Sequence, residues 1–265
     1  MTRTLNWHYQ NGLKKTKELR LLMQGDVKKE LDPKIIALFQ QKLIEWYQTF
    51  QRRLPWRETT DPYAILVSEI MLHQTTVRQV ISVYQRFLER FPSLKTLATA
   101  DLKQVKAITD ALGYRQRGKY LWTIAKSILN DYGGQVPDSV EILQKLPGIG
   151  RYTAGAIVSF AFRKPAPIVD TNVERILKRV FNVPQEGSST AFEKKIWAIA
   201  ERLVPQDPDR VYDFNQGIMD LGAMVCIPDR PRCGRCPLRK ICQYYQQLPN
   251  PPPRQRLLQE FNEPN

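Results

Sequence analysis

The sequence predicts an all-α protein, and three observations carry the prediction. Apolar residues recur at helical spacing over most of the chain, strand-like alternation is essentially absent, and turn and capping residues separate the apolar runs. Between Pro62 and Leu88, the residues Ile65, Leu66, Ile70, Leu72, Val77, Val80, Ile81, Tyr84, Phe87 and Leu88 fall mostly on helical spacings, with a break near Gln74. The stretch FPSLKTLATA reads as a loop with a capping serine and then a short helix. SVEILQKL follows Pro137 and the capping candidates Asp138 and Ser139, and is a second helix. A third runs from about Tyr152 to Phe162. TAFEKKIWAIAERLV and YDFNQGIMDLGAMVC supply two more, and the end of the chain, with NPPPRQR, reads as an extended tail. No linker splits the chain. The best boundary is the RKPAP turn near Pro165, and the segment beyond it ends in a cysteine-rich loop.

Bulk composition narrows the function classes. The chain has 265 residues, and its 42% apolar content is enough to bury a core. Lys and Arg outnumber Asp and Glu by 40 to 26, a formal charge of +14, which gives the surface a reason to bind a polyanion. No apolar run approaches the roughly 18 residues of a membrane span, and no signal core is present. With cysteines at metal-like spacing, this points to a reducing, cytoplasmic compartment. Residues 1–30 hold seven Lys/Arg against three acids and read as a basic extension.

All four cysteines lie between Cys226 and Cys242, spaced C-x6-C-x2-C-x5-C through Cys233 and Cys236. Four thiolates on one short loop suit a [4Fe–4S] cluster or, less well, a structural zinc. Arg230, Arg232, Arg235 and Arg239 lie among them, so the loop can also meet phosphates.

A second motif is Leu146-Pro147-Gly148-Ile149-Gly150, followed by Arg151-Tyr152-Thr153-Ala154. Two glycines one residue apart permit a tight turn, and the N–H groups opening the next helix are then free for a DNA phosphate; the plainer reading is an ordinary helix–helix turn.

Two carboxylates stand out. Glu69 has Ile65, Leu66 and Leu72 as helical neighbours, a setting that raises proton affinity and suits a general acid; alternatively it faces solvent or pairs with His73. Asp170, eight residues past the helix ending at Phe162, is a good N-cap for a helix starting near Asn172. Tyr152, Trp56 and Leu112 each have a plain reading as core residues.

Seven motifs in order carry a resemblance: LPWR, SEIMLHQT, ALGYRQR, LPGIGRYTAGA, IVDTNVERIL, FNQGIMDLGAMVC and the four cysteines. Over about residues 50–245 the chain resembles a helix-hairpin-helix (HhH-GPD) DNA glycosylase of the iron–sulfur branch. The MutY-type adenine mismatch enzymes are most similar, then the G·T mismatch thymine glycosylases, then endonuclease III. The resemblance implies two helical lobes with double-stranded DNA in the cleft. Residues 61–164 would form a six-helix barrel, and residues 31–60 with 165–245 an iron–sulfur cluster lobe. A Pro-rich tail would follow at 246–265. It implies a monomeric base-excision-repair enzyme that flips adenine mispaired with G or 8-oxoguanine and removes it. The alternatives are a thymine/uracil glycosylase of G·T and G·U mismatches, and a non-catalytic lesion-binding module.

The site residues follow from the same resemblance. Glu69 would protonate the leaving base and Asp170 stabilise the sugar cation. Tyr152 stands where enzymes with a lyase step carry lysine. It cannot form a Schiff base, so strand cleavage should be slight. Arg52, Leu54, Trp56 and Gln216 would line the base pocket, with Asn172 supporting Asp170. Gln74, Thr75, Leu112 and Tyr114 would open the duplex. Leu146, Gly148, Gly150 and Arg151 would hold a phosphate, and Cys226, Cys233, Cys236 and Cys242 the [4Fe–4S] cluster. Two residues depart from the motifs: His73 replaces a glutamine, and Arg115 a tyrosine. The MutY type also adds a Nudix-like domain that helps select 8-oxoguanine, for which this chain has no room.

Overall fold

The computed structural model describes residues 31–185 and 187–253. The basic extension at 1–30 and the tail from residue 254 onward lie outside the described residues. Among those described, twelve α-helices and three short 3-10 turns occur and no strand, so the all-α prediction holds.

Local sequence fixes where the helices begin. Three open on an Asp-Pro pair: α1 (Pro33–Phe50), α2 (Pro62–Met71) and α11 (Pro208–Met224). In each, the aspartate accepts a backbone N–H while proline occupies the first helical position, where no N–H is needed. Helices α3 (Val77–Arg90) and α4 (Leu94–Ala98) start with capping boxes, Thr76 with Gln79 and Ser93 with Thr96. The break expected near Gln74 separates α2 from α3, and Gln74 itself takes φ 52°, a left-handed value uncommon for a residue with a side chain. Next come α5 (Leu102–Thr109) and α6 (Gln116–Asp131). The helix read from SVEILQKL shrinks to α7 (Val140–Leu143), because the chain must leave helical geometry ahead of Pro147. Then follow α8 (Arg151–Phe162), α9 (Thr171–Phe181), α10 (Ser189–Leu203) and the short α12 (Gln243–Gln246).

The helices bury two main cores. One gathers residues of α2 to α8, including Val67, Ile70, Phe87, Leu97, Val105, Leu121, Ile128 and Ile157. The other joins α1 to α9, α10 and α11 through Phe39, Leu43, Tyr47, Ile176, Ile196, Phe214 and Leu221. The chain therefore has two lobes, and α1 packs with partners more than a hundred residues downstream. A small third cluster, Ile65, Ala156, Phe160, Ile168 and Tyr212, joins α2 and α8 to α11 at the seam. Near that seam the polar groups described next are concentrated.

Candidate active site

Glu69 lies in the last turns of α2 and is only 4% exposed. Neither sequence-level alternative holds: the carboxyl does not reach solvent, and His73 Nε2 instead pairs with Thr153 Oγ1 at 3.1 Å. Burial pushes the Glu69 carboxyl up to about 7; Tyr152 and Arg57 pull it partly back, and Asp170 adds a further rise. Glu69 Oε2 is buried with no hydrogen-bond partner. A buried polar atom left unpaired costs stability, and such costs concentrate where chemistry is done.

Tyr152 reaches toward Glu69 from the first turn of α8. Its hydroxyl donates to Met219 Sδ on α11 at 3.2 Å, so it spans the seam between the lobes. Burial, with the nearby Glu69 and Asp170, raises its phenol well above the usual value, so it stays neutral.

Asp170 caps α9. Its Oδ1 accepts from the Val173 N–H at 2.7 Å and its Oδ2 from Asn172 Nδ2 at 2.9 Å. Asn172 is held in turn by Arg175, whose Nη2 donates to Asn172 Oδ1 at 2.7 Å and to the Gly222 carbonyl at 2.9 Å. The connection from α8 to α9 folds back closely over α8, because a Cβ on Gly155 would come within 2.5 Å of the Pro167 carbonyl oxygen. The local cap explains the residue type at 170, and the fold brings that cap near Glu69.

Behind these groups sits an ion network that sequence reasoning missed. Asp220 on α11 is fully buried. Its two oxygens accept from Arg57 Nη1 and Nη2, both at 2.8 Å, from Arg52 Nε at 2.8 Å and from the Arg52 N–H at 3.0 Å. Burial would raise this carboxyl, but the Arg57 bonds and both guanidinium charges outweigh it and hold it below its usual value. Arg57, from the LPWR motif, also donates to the Arg52 carbonyl at 3.0 Å, and its Nε is buried without a partner. The signal was available: LPWR holds an arginine beside a tryptophan, and Asp220 interrupts the apolar residues of FNQGIMDLGAM.

The other pocket candidates divide. Gln216, one helical turn before Asp220, is buried, and Arg52 faces Asp220. Leu54 and Trp56 belong to the first core, where Trp56 meets Tyr84 edge-on at 5.5 Å. Gln74 is exposed, and Thr75 Oγ1 bonds Gln79 Oε1 at 2.9 Å. Tyr114 is half-buried beside Tyr120, whereas Leu112 is a core residue. In the hairpin, Gly148 takes φ 79°, and a Cβ there would meet the Tyr120 ring at 2.7 Å. Gly150 caps α8 with no side chain, so the opening N–H groups are not covered by a capping group. Leu146 is buried, and Arg151 stacks over Trp197 at 3.8 Å while pairing with Glu201.

The cofactor expectation requires correction. Cys226, Cys233, Cys236 and Cys242 do line one depression, and all four are free thiols. Even so, among the described residues no group of three or more His, Cys, Asp or Glu side chains is placed to hold a metal ion. Three of the four also sit where burial disfavours the thiolate form that ligates. Burial raises Cys233 and Cys236 and pushes Cys242 up to about 11. Cys242 Sγ also bonds the Arg179 carbonyl at 3.5 Å, and Cys226 Sγ accepts from Arg179 Nη1 at 3.4 Å. Chain spacing drew the cysteines together without making them a ligand set, so the [4Fe–4S] cluster is not retained, while the second lobe stands on its own apolar core.

Comparison with known proteins identifies the family. Residues 67–202 match the family described as "HhH-GPD superfamily base excision DNA repair protein". A thymine-DNA glycosylase of Aeropyrum pernix is 43% identical over 217 residues, covering 81% of this chain and 97% of that protein. An adenine DNA glycosylase of Mus musculus is 41% identical over 249 residues; that match covers 90% of this chain but 48% of the mouse protein. A solved thermostable thymine-DNA glycosylase superposes with TM-score 0.74 and 33% identity, over 83% of this chain and 100% of that one. No helix among the described residues is long and apolar enough to cross a membrane. With a buried carboxyl, a hairpin ending in uncovered N–H groups and these matches in hand, the chain belongs to the HhH-GPD superfamily and is a base-excision-repair DNA N-glycosylase acting on a mismatched or damaged base.

Proposed function

We propose that this enzyme removes thymine or uracil opposite guanine, by hydrolysis and with little strand cleavage. The observation that supports this choice of base is the likeness to thymine-DNA glycosylases, 43% identical to one in sequence and superposing on another with TM-score 0.74. It replaces adenine, the base that the motifs alone favoured.

The chemistry assigned to the site is the same for either base. An extruded nucleotide enters the seam between the lobes. Glu69, neutral below about pH 7, donates a proton to the departing base as the glycosidic bond breaks and its electron pair leaves with the base. Asp170 faces the positive charge left on the sugar. Water then adds to that carbon and its proton passes to solvent or to the departed base. Tyr152 holds the Glu69 side of the pocket and offers no amine for a covalent intermediate. Arg57, Arg52 and Asp220 brace the wall beside Gln216. Gly148, Gly150 and Arg151 take a phosphate at the start of α8, and Gln74, Thr75 and Tyr114 act on the opened duplex.

Adenine remains the second reading, favoured by the mouse adenine DNA glycosylase match and by Gln216, whose buried amide can both donate to and accept from a purine edge. Duplexes holding T·G, U·G, A·G and A·8-oxoguanine, incubated with the enzyme and then alkali, decide between them. Cutting at T·G and U·G is expected, and cutting confined to the adenine duplexes overturns the pyrimidine assignment.

A further inference from the structure

Arg117 is the largest fully buried side chain in the molecule's described part, and it carries a charge. Among the described residues no carboxylate pairs with it. A buried guanidinium without an acid is costly unless its N–H groups are all directed at good acceptors. Here the acceptors are backbone carbonyls from two separate loops. Nε donates to the Ile70 carbonyl at 3.2 Å and Nη2 donates to the His73 carbonyl, both at the end of α2. The Ile70 carbonyl, in the last turn of α2, also accepts from the His73 N–H at 3.4 Å, and the His73 carbonyl lies just past the helix end, where the negative end of the helix dipole suits a cation. Nη1 lies 3.5 Å from the Tyr114 carbonyl, and the guanidinium sits 5.8 Å from the centre of the Tyr114 ring.

These two loops carry the duplex-opening candidates. One leads directly into Gln74, held at its left-handed φ of 52°, and Thr75. The other carries Leu112 and Tyr114. We infer that Arg117 is a positioning residue for duplex opening: its single guanidinium sets the spacing and orientation of the Gln74 loop and the Tyr114 loop, so that both reach the base stack together. The inference rests on the glycosylase reading above and adds a residue that touches neither base nor sugar. It also explains why an arginine serves here. Only a planar fork can address three carbonyls in two loops at once, whereas an ammonium is a compact donor on a flexible stem.

The test uses the full chain carrying Arg117→Lys, which keeps the charge, alongside Gln74→Ala and the double variant. Each is added to a T·G duplex with 2-aminopurine beside the mismatch, whose fluorescence rises on unstacking. Thermal melting and duplex affinity are measured in parallel, and single-turnover excision is compared on that duplex and on one with an abasic site opposite thymine, where the pair is already broken. For Arg117→Lys, duplex affinity within about threefold of wild type, a fluorescence rise at least about tenfold smaller and a similar loss of excision are expected, since an ångström-scale misplacement costs on the order of 10²-fold. On the pre-opened duplex the excision loss should shrink to about threefold or less, and the double variant should be no worse than the poorer single one. The inference is overturned if Arg117→Lys opens the duplex as wild type does, if its deficit is as large on the pre-opened duplex, if its losses multiply with those of Gln74→Ala, or if it does not fold and the milder His73→Ala, which loosens the same loop, leaves opening intact. Should wild type excise no base at all, the glycosylase chemistry fails on its own. The fluorescence comparison still decides the role of Arg117: where wild type leaves T·G stacked it is made on the A·G duplex, and a wild type that unstacks neither counts against it.

Discussion

Glu69 and Asp220 are both carboxylates removed from water, one on α2 and one on α11, and their surroundings differ in kind. Asp220 is given four hydrogen bonds by two arginines and is held ionised. Glu69 has an oxygen with no partner and is pushed up to about 7. Burial acts on both in the same direction. The difference lies in what was supplied to offset it, and it separates an ion-paired carboxylate from the one proposed to give up a proton.

The largest effect should come from removing the proton donor. Glu69→Gln keeps the shape and takes away the acid. Excision under single-turnover conditions should fall by about 10²–10⁴-fold, while the melting temperature stays level or rises, because an amide is cheaper to bury than a carboxyl near its titration point. A Glu69→Gln enzyme with wild-type rates would make Glu69 structural and erase its contrast with Asp220.

Asp220→Asn is the mirror experiment. It leaves the Arg57 charge buried and uncompensated, and breaking such a pair costs about 3–5 kcal/mol. The midpoint of denaturant unfolding should drop accordingly. Activity measured well below the new melting temperature should fall much less than in Glu69→Gln. A larger loss in kcat than in stability would move Asp220 from the wall into the chemistry.

The pH dependence sharpens the same contrast. The raised folded value of Glu69 means that the native state binds a proton which the unfolded chain releases near 4.5. Native stability relative to Glu69→Gln is therefore fully present below about pH 4.5 and falls as pH rises toward about 7, where the loss levels off. The total is on the order of 3 kcal/mol, at about 1.4 kcal/mol per pH unit of displacement. Asp220 has the opposite sign: its folded value is lowered, so its contribution is present above the usual carboxylate range and lost as pH falls through the folded value. Melting curves of wild type and Glu69→Gln between pH 4 and 8 should converge at the acid end and separate toward neutrality. Parallel curves would place Glu69 in ordinary hydration. The excision rate should decline above about pH 7 as the donor ionises.

The contrast also marks what could be read from sequence. Glu69 was visible because apolar neighbours at i−4, i−3 and i+3 reveal a misplaced charge, and Asp170 because an N-cap has a local signature. The break at Gln74 and the helix from Arg151 to Phe162 were visible for equally local reasons. Asp220 and Arg57 were not, since they meet across 163 residues and no short-range rule links them. Arg117 was hidden in another way: its partners are carbonyls, which every residue carries. The cysteines erred in the opposite direction, for spacing along a loop showed that the sulfurs are close and left their protonation and disposition unspecified. Leu146 and Leu112 show the same limit, since a residue in a motif expected to face DNA can still turn its side chain into the core.

The exposed counterpart of these buried pairs is Arg151 with Glu201, both about half accessible. Here water screens the charges, so neither the cost nor the gain is large. Glu201→Gln should change stability by less than about 1 kcal/mol. It should also leave Arg151 on the Trp197 face with its charge no longer shared, at the start of α8 where a phosphate is proposed to sit. Duplex affinity should then tighten by about two- to threefold at low salt, an advantage that fades as salt rises because it is electrostatic. Titration of the variant and wild type from about 50 to 200 mM salt measures this. Equal affinities throughout would mean that Arg151 serves the lobe contact with α10 and does not reach the DNA, leaving Gly148, Gly150 and the helix N-terminus to hold the phosphate alone.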